Sequence, residues 1–262
     1  MKNLFLLIAI LFSAMCYSQQ NIDEELQLYL SDFKHFNFEK LKNKEFKYSV
    51  DTLNLPQYLR NTFYKKVTRD LDFGIKESIY SICLNYVRDD DFLKHTSNIL
   101  HVLSKDSTII GIICLNEYKK IKTTHFDESE IRKYITRHDS LYQTTTQIDD
   151  FVNELTQQTV YGYLCGIAPV LRDIPEKDGL KFNDMKNIEV FRKWIRSYNP
   201  EFQTYGVDAI NYIYKQPKFS IGKKQSILEK QDKDLVKYVK YRNSIINTCS
   251  GCFVGIYERV FW

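Results

Sequence analysis

The sharpest chemical signal in the chain is Cys249-Ser250-Gly251-Cys252. A C-x-x-C pair exchanges thiols for disulfides when its first thiolate is stabilised, as at a helix N-terminus. The flanks allow this, since Ser244 to Asn247 (SIIN) reads as a strand and Phe253 onward as a helix start. Only ten residues follow Cys252, too few for the sheet that a thioredoxin-like enzyme builds after its motif. Zinc would need four ligands in a closed site, and no second cysteine pair of similar spacing is present. Cys165, in YGYLCGIAP, is the remaining candidate. The expectation is a structural disulfide, within the motif or from Cys165 to Cys249 or Cys252, with redox exchange as the alternative and no resident cofactor or metal.

The five histidines stand at 35, 95, 101, 125 and 138. His95 and His101 are six apart and fall on different faces of a helix, unlike the four-residue spacing of a zinc helix. His138-Asp139-Ser140 holds the residue types of a hydrolase triad, but neighbours on a helix point apart, and a triad is defined by geometry. All five are expected as surface polar residues. Asp89-Asp90-Asp91 lacks the alternating ligands and central Gly of a calcium loop and reads as a helix cap. A Gly-rich phosphate loop and G-x-S-x-G are both missing, so the set of catalytic residues predicted from sequence is empty.

The first eighteen residues read as an export signal: Lys2, the apolar run Leu4 to Phe12, then the smaller, more polar Ser13 to Ser18. Nine apolar residues are too few to span a membrane, which takes about 20. Cleavage is expected between Ser18 and Gln19. Lipidation at Cys16 is the minor alternative, disfavoured by Met15. The expected location is the periplasm or outside the cell, or the outer membrane if lipidated. Removing residues 1–18 leaves 244 residues with a net charge of +3 and five cysteines. That balance excludes the basic stripe nucleic acid requires. An odd cysteine count leaves at least one thiol over.

The elements that must position these residues read as helices. Gly and Pro are scarce (9 and 5) against 19 Tyr and 17 Phe, which disfavours a many-turned β sandwich. Ile22 to Phe33 has one-face helical spacing. Phe46 to Leu55 reads as extended, before Pro56. Gln57 to Val67, Ile75 to Val87, Phe92 to Leu103 and Thr108 to Ile121 each carry an apolar stripe, with Asp89 to Asp91 and Asp106 as helix starters. Cys83 and Cys114 fall inside these stripes as small core residues. Asp127 to Tyr142 and Ile148 to Leu164 continue the series, and Gly166 to Gly179 is a loop. The predicted fold is therefore all-α: an irregular helical bundle or short helical array, with minor β structure near 46–55 and at the C-terminus. The divisions are 1–18, 19–165, 166–179 and 180–262.

Ile188 to Ser197 and Glu201 to Tyr214 form a predicted helix pair, with Asn199 as N-cap, Pro200 at the first helical position, and Gly206 and Ala209 allowing close packing. This stretch resembles one HEAT-type repeat, in which a Pro-bearing turn joins antiparallel helices. With YGYLCGIAP, SYNPEFQTYGVDAI and CSGC, the chain also resembles exported helical proteins of Gram-negative bacteria, a likeness that carries no activity with it. The resulting expectation is a non-enzymatic interaction or scaffold domain with a protein or peptide partner. The alternatives are a thiol-redox protein using Cys249 and Cys252, and a hydrolase whose site is scattered in sequence.

Overall fold

The computed structural model describes residues 22–46, 61–87, 93–116, 118, 120–162, 187–215, 230–250 and 253–260. The fold is mixed α/β, which corrects the all-α expectation. Two short helices open it, α1 (Ile22–Ser31) and α2 (Phe38–Lys42). An antiparallel meander follows, in the order β1 (Thr62–Asp70), β2 (Ile75–Val87), β3 (Leu93–Lys105), β4 (Thr108–Asn116) and β5 (Ile121–Phe126). Then come α3 (Glu128–Tyr142), α4 (Ile148–Thr156), α5 (Ile188–Ile195), α6 (Pro200–Lys215) and α7 (Lys230–Arg242). A two-stranded hairpin, β6 (Ile245–Ser250) with β7 (Phe253–Arg259), closes the series.

The segments 57–67, 75–87, 92–103 and 108–121, expected as helices, are strands wherever they are described. In β4 and the adjoining part of β3 the cause is that both faces of the sheet are buried. Ile82, Leu84, Leu100, Val102, Ile112 and Cys114 pack on one face against Ile22, Leu26 and Leu30 of α1. Ile75, Leu103, Ile113 and Leu115 pack on the other against Ile131 and Ile135 of α3 and Phe151 and Leu155 of α4. A strand covered on both faces shows a near-continuous apolar run, which hides the period of two and imitates a helical stripe. Each fully buried aliphatic side chain here contributes roughly 1.5–3 kcal/mol.

The decisive local signal was turn chemistry. Asp106 and Ser107 have φ values of 48° and 69°, the left-handed pair of a tight β-hairpin turn, and they join β3 to β4 rather than starting a helix. Between β1 and β2, Asp72-Phe73-Gly74 turns the chain with positive φ at Phe73 and Gly74. Register follows: Arg69 faces Glu77 across β1 and β2, and Ile79 faces His101 across β2 and β3.

The helices outside the meander match their sequence signals more closely. Asp127 caps α3 by accepting from Glu130 N at 3.3 Å. Asn199 caps α6 by accepting from the amides of Glu201 and Phe202 at 3.0 and 3.3 Å. Pro200 stands first in α6, where its missing N–H costs nothing. At Gly206 a Cβ would lie 2.5 Å from Ile195 N, so α5 and α6 approach as closely as the sequence suggested. The helix pair is real, but α6 packs on α7 and β6, so the described residues form no HEAT array. The C-terminal segment is the strand β7 and not a helix. Residues 1–21 (Cys16, Ser18 and Gln19 among them), Lys47 to Leu55, Asp89 to Asp91, Cys165, the 166–179 loop and Cys252 lie outside the described residues.

Candidate functional site

Arg69, on the inner edge of the sheet, is 3% exposed and is held between two buried carboxylates. Its Nε donates to Glu77 Oε2 at 2.5 Å, and its Nη1 donates to both oxygens of Glu201 at 2.6 and 2.8 Å. Glu77 comes from the neighbouring strand. Glu201 comes from the first turn of α6, set there by the Asn199 cap, 132 residues from Arg69. Burial works against the Arg69 charge, but Glu201 and then Glu77 overcome it and hold the guanidinium more firmly protonated than usual. Burial likewise opposes ionisation of Glu77. The Arg69 charge and the His101 hydrogen bond outweigh it, so Glu77 sits below the usual carboxylate range.

The third member is His101 of β3, 3% exposed. Its Nδ1 lies 2.5 Å from Glu77 Oε1, and its Nε2 is buried with no hydrogen-bond partner among the described residues. Asn247 of β6 donates its backbone N–H to Glu201 Oε1 at 2.8 Å and its side-chain amide to Thr159 O at 3.4 Å. Its Oδ1 is also buried and unpartnered. A cavity of about 470 Å³ opens over these groups, lined by Arg69, His101, Glu201 and Asn247, with Tyr64 and Tyr257 among the other contributors. That size falls within the span of small-molecule sites, roughly 300–1,000 Å³. Leaving a buried polar atom unpaired costs about 1–3 kcal/mol, so two such atoms in residues that line one cavity single it out as a site a ligand could complete.

A second buried histidine lies elsewhere. His138 of α3 is fully buried and stacks on Tyr198, with ring centroids 3.7 Å apart. Neither ring nitrogen makes a well-formed hydrogen bond, the Ser197 backbone supplying only a weak one, and Asp72 is 3.7 Å from Nε2. Burial pushes its pKa down to about 4, against the opposing pull of Asp72 and Asp139. Asp72 is itself engaged by Arg242, which also binds Gln203. Asp139 is spent on the turn after α3, accepting from Thr144 and Thr146. His138-Asp139-Ser140 therefore forms no triad.

A larger cavity of about 730 Å³ lies beside Arg192, Arg196 and Gln143 to Thr146. Its two guanidiniums are committed: Arg192 to Asp232 at 3.0 Å and Glu189 at 2.6 Å, Arg196 to Asp232 at 3.3 Å. It has no buried unpartnered side-chain atom among its described lining, which separates it from the cavity over His101.

Sequence reasoning placed all five histidines on the surface. His35 and His95 are exposed and His125 is partly so, but His101 and His138 are buried. On a strand, His95 and His101 share a face about 20 Å apart, so they still form no pair. Among the described residues no two cysteines lie at disulfide distance. Cys83 and Cys114 take part in no disulfide, and burial pushes the Cys114 thiol up to about 11. Cys249 is disulfide-bonded and is absent from the cavity lining. Among the described residues there is no cluster of His, Cys, Asp or Glu suited to a metal ion, and no helix is long and apolar enough to cross a membrane. Arg69, Glu77, Glu201 and Asn247 were missed. The available signals were the Asp-Phe-Gly turn, which sets Arg69 opposite Glu77, and the Asn-Pro cap that begins the helix carrying Glu201.

Comparison with known proteins returned no matching family, no similar curated protein and no similar solved structure.

Proposed function

We propose that this chain is a binding protein for a small polar molecule, seated in the cavity between the sheet edge, the segment after α4 and the β6–β7 hairpin. The reading rests on His101 and Asn247, two residues lining one cavity whose buried Nε2 and Oδ1 have no hydrogen-bond partner among the described residues. A ligand that hydrogen bonds there recovers the cost of leaving them unpaired. The compartment proposed is the one the N-terminal residues suggest, outside the cytoplasm. A thermal-shift screen of polar small molecules tests the reading. A ligand at 100 times its Kd should add about 2.7 kcal/mol of stability, and Asn247→Ala should lose that shift. A screen in which no compound shifts the melting of folded protein would count against it.

A second reading rests on the Glu77–His101 hydrogen bond. Glu77 Oε1 holds the ring at Nδ1, and in the tautomer whose proton sits on Nδ1 the other nitrogen accepts, the arrangement of a general base. The cavity lining shows no partner nucleophile oriented by this base. Both carboxylates are tied to Arg69, so neither is a free general acid of the two-carboxylate kind. Turnover of a chromogenic ester, lost in His101→Asn but retained in Asn247→Ala, would favour catalysis over binding.

A further inference from the structure

We propose a second ligand site, for a small organic acid with an apolar body, in the groove between the β1–β2 turn and α3. The groove holds about 520 Å³, and its lining includes Phe73, Ile75, Lys105, Lys133, Tyr134 and Arg137. That volume is within the span of small-molecule sites. It shares no lining residue with the cavity over His101, so it stands apart from the binding reading above.

The charged half of the site is Arg137. Its guanidinium carbon lies 4.4 Å from the centroid of the Phe73 ring, a cation–π contact. Arg137 is exposed and makes no hydrogen bond or ion pair with any described residue. A guanidinium offers five N–H donors in a planar fork that matches a carboxylate, and here the fork is unclaimed. The neighbouring cations are already engaged. Lys105 and Lys133 share Glu130 at 3.0 and 2.7 Å, and Arg132 pairs with Glu128 at 3.5 Å. Four cations against two carboxylates leave a net charge of +2 around the groove. One unpaired guanidinium suits one carboxylate.

The apolar half is Phe73. Its backbone is left-handed, at φ 59° and ψ 30°, a genuine outlier for a bulky side chain. Such conformations persist only where surrounding contacts impose them, and they gather at ligand clamps. The ring meets Tyr134 edge-on, with centroids 6.3 Å apart, and stays partly exposed beneath Arg137. Ile75 and Tyr134 are each 3% exposed and back the groove. A ligand that lays an apolar body along Phe73 and aims a carboxylate at Arg137 engages both halves. A bare inorganic anion engages only the charge, and a neutral apolar molecule only the ring.

The test is isothermal titration of the full chain with phenylacetate, set against phenylacetamide and inorganic phosphate. Phenylacetate should bind, and the amide should bind at least about tenfold more weakly, the scale of one lost charge-assisted hydrogen bond. Arg137→Gln should abolish the preference for acid over amide, and Arg137→Lys should keep part of it. Phe73→Leu, which keeps apolar bulk without the aromatic face, should weaken phenylacetate binding. Lys237→Gln, on the exposed face of α7, should change nothing. Equal binding of acid and amide, or a folded Arg137→Gln variant that keeps the preference, overturns the site. Phosphate binding as tightly as phenylacetate would reduce the groove to a patch of charge and overturns it as well. Silence from phenylacetate, with a cooperative melt showing the chain folded, does the same.

Discussion

The two buried histidines occupy opposite situations. His101 lines a cavity, with one nitrogen held by Glu77 and the other buried without a partner among the described residues, in a cluster that sets Arg69 between two carboxylates. His138 has no carboxylate hydrogen bonded to it and only a weak contact to the Ser197 backbone, lies flat on Tyr198 and is near Tyr142. Both are about equally hidden from solvent, so burial alone does not separate them. What differs is the second group on the ring. A hydrogen-bonded carboxylate gives a buried imidazole direction and an electrostatic partner, while a stack of tyrosines makes it an aromatic packing residue that resists charge.

Removing the centre of the first cluster should have the largest effect. Arg69→Ala leaves Glu77 and Glu201 as buried carboxylates without a counter-charge, and breaking such a pair costs about 3–5 kcal/mol. The urea midpoint should fall accordingly. A loss under about 1 kcal/mol would mean that the cluster is hydrated and not truly buried.

The second cluster should show itself through pH. The folded-state pKa of His138 is about 4 against an ordinary 6.5, so between those values the unfolded chain binds the extra proton. Stability contributed by neutral His138 is complete above about pH 6.5 and is lost as pH falls toward 4. At about 1.4 kcal/mol per unit, the loss approaches about 3 kcal/mol. His138→Phe keeps an aromatic ring on Tyr198 and should flatten this part of the stability–pH curve while changing neutral-pH stability little. An unchanged acid slope would assign the sensitivity to other groups.

The smallest effect tests how the first cluster is assembled. Asn199→Ala removes the cap that starts α6, at about 1 kcal/mol. Because the same turn delivers Glu201 to Arg69, ligand affinity at the His101 cavity should also fall. His138 should keep its titration, which NMR of the ring protons would follow. Coupled changes at both histidines would mean the two regions are not independent.

Legibility from sequence divides along similar lines. Where polar and apolar residues segregate on one helix and a cap precedes it, as at Asp127, Asn199 and Pro200, the helices were readable. So was the close approach at Gly206. The meander was not, because TIIGIICLN is buried along most of its length and carries no alternation, while IKESIYS alternates in burial but places Glu77 and Ser81 at buried positions, so its polarity does not follow. Asp106-Ser107 looks like a helix start until its left-handed backbone is seen. The cavity was hidden for a different reason. Its residues come from β1, β2, β3, α6 and β6, and none carries a local motif.

The sequence by itself determined the helix caps at Asp127 and Asn199 and the supply of apolar side chains, because these depend on neighbours a few residues away. Only the tertiary structure decided that the apolar runs pair as strands, and that His101 meets Glu77 while His138 meets tyrosines. Those outcomes depend on contacts between residues tens to more than a hundred positions apart, which only the register of the sheet and the docking of α6 bring together. The Cys-x-x-C motif was the most visible chemistry in the chain, yet the described part of the candidate site is built from a buried Arg, two Glu, a His and an Asn. Those residue types become a site only when a fold buries them side by side.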